Sequence, residues 1–532
     1  MYTIANMSAV VSTLFNDKSV MFHDPLLKKQ FLENPFLEQN VENISFLEFT
    51  ASFLEYFSSA FSKTENSRFG VLSLKSISTP LTETELDFIF KVDCSGSMSD
   101  SCSDERTKMQ HIIHTLTNMI LYFKENPSLN VNVTIHAFDN KIFNIVERTP
   151  VNETTYEEII TLINTIKPQG STNIENALKD TKQYTKQLSE EYPNTEKIHI
   201  FMTDGHVTSG NQEHSILCSL VDKSIQNVFI GFGTDHDASL LNSISEGEKS
   251  NYYFIDKLEN AGLVYGEILH GIVYKFLENI TITISNGLIY NYNTNTWNTS
   301  LNINKLASES NKHYHVVSVI PQQFVVKITG VTTNNTKKNV ITFVNAENKP
   351  VDLTKYIYRQ LTQQILFKVN KYNKENKDKI NYYDFVEEDE KLLKEQNKKL
   401  KLELQDLFNE IKKYMSDNNL LEDTLLKNLC DDLYICHKTF GTQLGDMFCT
   451  ARGNSQGQQR AYTATYLCNG ISNIIYNRNF DNSYDDDDDE ELFHHLSDSI
   501  DTPYLTQTMT QVMRSVSTKT NFEEEEETQV EY

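Results

Sequence analysis

The sequence predicts an α/β fold, a doubly wound, mostly parallel sheet, accompanied by a β-sandwich domain and a C-terminal helical domain. Three observations carry this. From residue 85, nearly continuous apolar runs alternate with helical patterns, as in a sheet covered by helices on both faces. After residue 278 the apolar period becomes two, the period of half-buried strands. From about residue 351 it lengthens to the three-, four- and seven-residue steps of packed helices.

The elements follow in order. Residues 1–60 read as a mixed or helical segment, with "DPLLKKQFLENPFLEQN" and "SFLEFTASFLEYFSSAF" as short amphipathic helices. Residues 61–84 hold "RFGVLSLKSIS" (68–78), a strand expected to complete the sandwich. In residues 85–278, "LDFIFKVD" is a buried strand and "SDERTKMQHIIHTLTNMILYFKEN" a helix with a capping-type start. "NVNVTIHAFDNKIFNIV" gives two strands around "FDNK", a hairpin. Two helices, the strand "KIHIFMTD", a helix, the strands "NVFIGFG" and "NYYFID" and a closing helix complete the alternation. Residues 279–350 supply the short strands of the sandwich, such as "NITITIS" and "QFVVKITGV". Residues 351–479 are helical. In them Leu393, Leu400, Leu404, Phe408 (or Leu407), Ile411 and Met415 space out one face of a bundle helix or helical hairpin, a reading preferred to a dimeric coiled coil. Residues 480–532 are polar with two acid runs, Asp485–Glu491 and Glu523–Glu527, and are expected to be a disordered acidic tail.

Composition narrows the function. The chain has 532 residues, so two to four domains are expected. Its net charge is −25; the last 53 residues hold sixteen acids and two bases, a net −14, which leaves only −11 on the body. Strong binding of nucleic acid through phosphates is therefore disfavoured. No apolar run reaches the roughly 20 residues a membrane span requires, and the start lacks a basic, signal-like segment. The seven cysteines form no framework, which points to a reducing compartment and to free thiols. The chain is expected to be intracellular, in the cytoplasm or associated with a virion. Cys430, Cys436, His437 and Cys449 cluster without a CxxC and read as buried thiols rather than a zinc site.

Chemistry concentrates in three loops. The strand of "DFIFKVDCSGSMSD" (87–100) ends in Asp93, with Ser95 and Ser97 around Gly96. "PQGSTNIENAL" offers Ser171 and Thr172 in a Gly-led loop before a helix, and "KIHIFMTDGHVTSG" ends its strand in Asp204. Ligands of open α/β sheets sit beyond the carboxyl ends of the strands, where these loops lie. Two carboxylates and several hydroxyls are hard oxygen donors suited to Mg²⁺, which keeps waters and open positions. His206, beside "TDG", is read as a loop histidine rather than a general base, and Asp139 as a hairpin turn residue.

These residues resemble the von Willebrand factor A family. "DCSGS" matches its Asp-x-Ser-x-Ser, "GSTNI" its threonine loop and "MTDG" its second aspartate loop. The resemblance implies a Rossmann-like A domain with an intact metal-ion-dependent adhesion site. Asp93, Ser95, Ser97, Thr172 and Asp204 would hold Mg²⁺ or Mn²⁺, with Thr172 favoured over Ser171. The loop "SDSCSDERTK" is longer and more acidic than the family's usual link. The layout is also similar to intracellular eukaryotic or viral A-domain proteins, but the RING finger some of them carry is not found here.

The function expected from this is non-enzymatic: a scaffold whose metal captures an Asp or Glu of a protein partner. The alternatives are a structural or virion-associated assembly protein and a Mg²⁺-dependent hydrolase. The sequence holds neither a GxxxxGK[ST] loop nor a GxSxG elbow. The acid runs serve either solubility or, tethered in cis, occupancy of the metal.

Overall fold

The computed structural model describes residues 47–57, 68–82, 84–102, 104–233, 236–247, 249–255, 261–320, 323–332, 337–342, 352–380, 387–440, 443–461 and 503–518. In chain order the elements begin with β1 (Leu47–Phe57), β2 (Arg68–Ser76), β3 (Leu86–Asp93), α1 (Lys108–Glu125), β4 (Val131–Phe138), β5 (Ile142–Pro150), α2 (Tyr156–Ile163) and α3 (Ile174–Glu191). Next come β6 (Glu196–Thr203), α4 (His214–Leu220), β7 (Gln226–Phe232), α5 (Ala238–Ile244), β8 (Ser250–Ile255) and α6 (Ala261–Val273). The strands β9 (Lys275–Ser285), β10 (Leu288–Asn291), β11 (Thr296–Asn298), β12 (Ser300–Ala307), β13 (Asn311–Ser318), β14 (Val325–Thr332) and β15 (Lys337–Thr342) follow. The helices α7 (Thr354–Ile380), α8 (Glu387–Asp417), α9 (Thr424–Thr439), α10 (Gln443–Gln458) and α11 (Gln507–Thr518) close the order. The chain divides into two compact units.

One unit is built on a six-stranded sheet of order β5-β4-β3-β6-β7-β8. Its strands from β4 to β8 run parallel, and β5 is the antiparallel edge, turned back around Asp139. Every residue of β3, β4 and β7 is buried, as a sheet covered on both faces requires. Phe88 on β3 meets Phe123 on α1 with ring centroids 4.9 Å apart. The same sheet buries a charge: Lys91 of β3 pairs with Asp180 of α3, and its ammonium lies 2.9 Å from His136 Nδ1. Burial pulls the Lys91 ammonium below its usual range, and the Asp180 charge opposes that pull. Helix α1 begins at Lys108, later than the run from "SDERTK" suggests. Thr107 caps it: its Oγ1 accepts the Gln110 N–H at 3.2 Å, and Gln110 Oε1 accepts the Thr107 N–H at 2.7 Å.

The tail requires a correction. Residues 507–518 are helix α11, not disordered chain, and they pack on α6 and α1. Met509, Val512, Met513 and Val516 recur at helical spacing and are buried. The two acid runs lie outside the described residues.

The other unit holds two antiparallel sheets, β1-β2-β13-β10-β11 and β12-β9-β14-β15. Their facing side chains form one core, including Phe53, Leu72, Leu74, Ile280, Ile282, Ile284, Val326 and Ile328. The strand read at 68–78 is β2, which pairs with both β1 and β13. The segment read as an amphipathic helix, "SFLEFTASFLEYF", is in its described part strand β1 instead. Ala51 and Phe53 alternate into the core, and pairing along β2 satisfies the backbone. "DPLLKKQFLENPFLEQN" lies outside the described residues. Helices α7 to α10 bury Leu404, Leu407, Phe408, Ile411 and Met415 of α8 against residues of α7, α9 and α10, as in a bundle helix. Cys430, Cys436 and Cys449 lie in that core. Among the described residues no helix is long and apolar enough to cross a membrane.

Candidate metal centre

The carboxyl ends of β3 and β6 lie side by side, because the strands are parallel neighbours in register. Each delivers one aspartate to the same face: Asp93 closes β3, and Asp204 follows Thr203, the last residue of β6. Both carboxylates are fully buried. Beyond Asp93 the chain turns through Gly96–Ser99, so Ser95 and Ser97 fall on one side. Their hydroxyl oxygens are 3.2 Å apart, and Ser97 Oγ donates to Asp204 Oδ1 at 2.8 Å. The third loop precedes α3. Thr172 is buried there, and a Cβ at Gly205 would lie 3.4 Å from Thr172 Oγ1 and 3.7 Å from Ser97 Oγ. The structure thus brings Ser97 and Thr172 to Gly205, with Ser97 in contact with both Ser95 and Asp204, and Asp93 hydrogen-bonded to the Ser95 amide.

Each donor is held by a neighbour. Asp93 Oδ1 accepts the Ser95 N–H at 2.8 Å, and its Oδ2 accepts the Thr203 hydroxyl at 2.5 Å. Burial pushes the Asp93 carboxyl up to about 6, although these hydrogen bonds pull the other way. The Thr172 N–H donates to Thr208 Oγ1 at 2.8 Å, and the Thr172 carbonyl accepts from the Thr208 and Ser209 amides. Gly96 N–H donates to the Gly170 carbonyl at 3.2 Å, which ties the serine loop to the threonine loop. Gly170 has φ +69°, and a Cβ there would stand 2.3 Å from Asp139 Oδ2.

Sequence reasoning missed two residues of this neighbourhood. The first is Lys108, the first residue of α1. Its ammonium donates to Asp204 Oδ2 at 2.7 Å, and Asp100 Oδ2 lies 3.4 Å away. Burial works against this charge, but the bonds to Asp204 and Asp100 outweigh it and hold the ammonium above its usual range. A single lysine at a helix start carries no motif, so its only signal was an unfavourable charge at a helix N-terminus. The second is Asp139. It is a turn residue, as expected, accepting the Lys141 N–H at 2.6 Å. Its backbone carbonyl also accepts from Asn173, and its side chain seats Gly170, so it positions the threonine loop. His206 is half exposed, with Nδ1 3.9 Å from Asp237 Oδ2.

The donor set fits a small hard cation. Ligands about 2.1 Å from an octahedral ion share edges of about 3.0 Å. The Ser95–Ser97 and Ser97–Asp204 oxygen separations of 3.2 and 2.8 Å straddle that value. Among the described residues no group of three or more His, Cys, Asp or Glu is placed to hold a metal. This site has only two such side chains and completes its donor set with hydroxyls.

No curated protein matches the chain. Among solved structures it is similar to a von Willebrand factor type A protein from Catenulispora acidiphila, with 13% identity, TM-score 0.46, and 72% of this chain and 89% of that one covered. It is also similar to the ArnB paralog VWA2 from Sulfolobus acidocaldarius, with 14% identity, TM-score 0.44, and 77% and 98% covered. A third similarity is to proximal thread matrix protein 1 of the mussel byssus with a zinc-occupied MIDAS motif, with 20% identity, TM-score 0.28, and 34% and 46% covered. The family profile "von Willebrand factor type A domain" matches residues 87–266, which include all five candidate ligands, and this part of the chain is a von Willebrand factor type A domain.

Proposed function

We propose that this A domain is a divalent-metal-dependent interaction module that captures an acidic side chain of a protein partner. Domains of this family commonly mediate protein–protein interactions and are generally not enzymes. The observation that supports the reading is the chain of contacts at this end of the sheet: Ser97 and Thr172 meet at Gly205, Ser97 touches both Ser95 and Asp204, and Asp93 holds the Ser95 amide. Ser95, Ser97 and Thr172 would hold Mg²⁺ or Mn²⁺ directly, and Asp93 and Asp204 directly or through water. When bound, the ion supplies an electrophilic centre with positions open to an outside carboxylate. The chain's own groups do the rest. Thr203 and the Ser95 amide fix Asp93, Asp139 and Thr208 fix the threonine loop, and Lys108 balances the buried Asp204 charge. The setting proposed for this is intracellular, in the cytoplasm or with a virion.

The test is a pull-down from the source with the full chain, in Mg²⁺ and in EDTA, beside Asp204→Ala. A partner retained by the wild type in Mg²⁺, and lost both in EDTA and with Asp204→Ala, supports the reading. Partners retained equally in all three would refute it.

A further inference from the structure

Lys108 stands between two carboxylates. Its ammonium donates to Asp204 Oδ2 at 2.7 Å, and Asp100 Oδ2 lies 3.4 Å from the same nitrogen. The two acids differ in setting. The Asp204 side chain is fully buried, whereas that of Asp100 is 61% exposed. Asp100 and Lys108 are the second and last residues of the acidic loop "SDSCSDERTK". The loop folds back on itself, because the Cys102 N–H donates to the Arg106 carbonyl at 2.7 Å and the Lys108 N–H to the Asp100 carbonyl at 3.0 Å. The Asp100 N–H in turn donates to the Ser97 carbonyl at 3.0 Å, which ties the loop to the serine turn. The backbone thus fixes both acids beside one ammonium. A lysine ammonium is a compact point charge on a flexible four-carbon stem, so a small rotation of the stem exchanges one carboxylate for the other.

Both oxygens of Asp204 are engaged. Oδ1 accepts the Ser97 hydroxyl at 2.8 Å, and Oδ2 accepts the ammonium. A divalent ion held by Ser97 draws on the same carboxylate, directly or through water, and adds two positive charges beside one already there. Like charges repel most strongly where little water screens them, and the Lys108 side chain is only 11% exposed. The neighbourhood still favours the ion. Asp93, Asp139 and Asp204 are all buried around these loops, and one ammonium does not balance three carboxylates. The group that yields to the ion is therefore the ammonium, and Asp100 is the carboxylate within reach to receive it.

We propose that Lys108 is a tethered cation that competes with the divalent ion for Asp204. Metal entry passes the ammonium from Asp204 to Asp100, and the lysine thereby sets the metal concentration at which the site fills. This rests on the metal-site reading above and gives the acidic loop a role in it. A lysine that only oriented Asp204 would have the opposite effect, since its removal would loosen a ligand and weaken the metal.

Two measurements on the full chain separate these cases. The first is Mn²⁺ affinity by calorimetry near neutral pH. The proteins are the wild type, Lys108→Met, Lys108→Gln, Lys108→Arg, and Asp100→Asn with and without Lys108→Met. Losing the competing charge leaves Asp204 uncompensated until metal arrives, so Lys108→Met and Lys108→Gln should bind roughly tenfold more tightly than wild type. Lys108→Arg keeps the charge and should bind more weakly than either. Asp100→Asn should weaken binding where Lys108 is present and change it little in the Lys108→Met background. The second measurement is the reactivity of the Lys108 amine towards acetylation in the wild type, read by mass spectrometry with and without saturating Mg²⁺. Displacement towards the exposed Asp100 should raise it severalfold. This measurement uses the wild type alone and so does not depend on the variants folding. The inference is overturned if Lys108→Met and Lys108→Gln bind Mn²⁺ no more tightly than wild type, or if Mg²⁺ leaves Lys108 as protected as before. If neither the wild type nor Lys108→Met takes up Mn²⁺, the metal reading itself fails, and this inference with it.

Discussion

Lys108 shows how a site is balanced one residue at a time. Asp204 is fully buried, and among the described residues its ion-pair partner is this ammonium. Removing one partner of a buried pair leaves an uncompensated charge, which costs about 3 kcal/mol or more. Lys108→Met should therefore lower metal-free stability by about that amount, measured by denaturant unfolding. Mg²⁺ should recover most of it and stabilise the variant more than the wild type. An unchanged stability without metal would mean that the pair carries no such load. Asp93, Ser95 and Ser97 were legible because a buried strand rarely runs straight into a carboxylate and alternating hydroxyls unless those groups face a ligand. Thr172 and Asp204 were legible from their place before a helix and at a strand end. Lys108 and the loop-seating role of Asp139 were not, because both depend on contacts between segments distant in sequence.

At the scale of elements, the strands of the α/β sheet read clearly, since burial on both faces leaves an unbroken apolar run. Strand β1 did not. Its sequence supports both a helical stripe and a two-residue alternation, and only the neighbouring β2 decides between them. Helix α11 carried a legible signal, apolar residues at 509, 512, 513 and 516, set between runs of acid that dominate the composition. Its seat depends on a glycine. Gly266→Leu should push Met513 away and release the helix, so the amides of residues 507–518 should lose their hydrogen-exchange protection while those of β3 and β6 keep theirs. Retained protection in 507–518 would mean that the close approach at Gly266 does not hold the helix in place.

For the A domain as a whole, acid should be destabilising through histidines held neutral. His236 Nδ1–H donates to the Gly233 carbonyl at 2.9 Å, so its Nε2 accepts from the Tyr252 hydroxyl at 2.6 Å. His199 lies between Asn227 and Thr181. Burial pushes both imidazoles down to about 4. Above an unfolded value near 6.5 neither state is protonated, and the full stability is present. As pH falls from about 6.5 towards 4 the unfolded chain takes up protons that the fold refuses, so stability is lost, by roughly 3 kcal/mol per histidine at most. Thermal unfolding at pH 5 and pH 7 checks this, and an equal or higher Tm at pH 5 would contradict it. The central claim, that five side chains from three loops make one divalent site, has a more direct test. Mg²⁺ or Mn²⁺ titrated into the full chain near neutral pH should bind with one ion per chain, and Ser95→Ala or Asp93→Ala should abolish that binding while the circular dichroism of the fold is unchanged. A wild type that takes up no ion, or alanine variants that bind as well as it does, would show that the five residues are a structural arrangement and not a metal site.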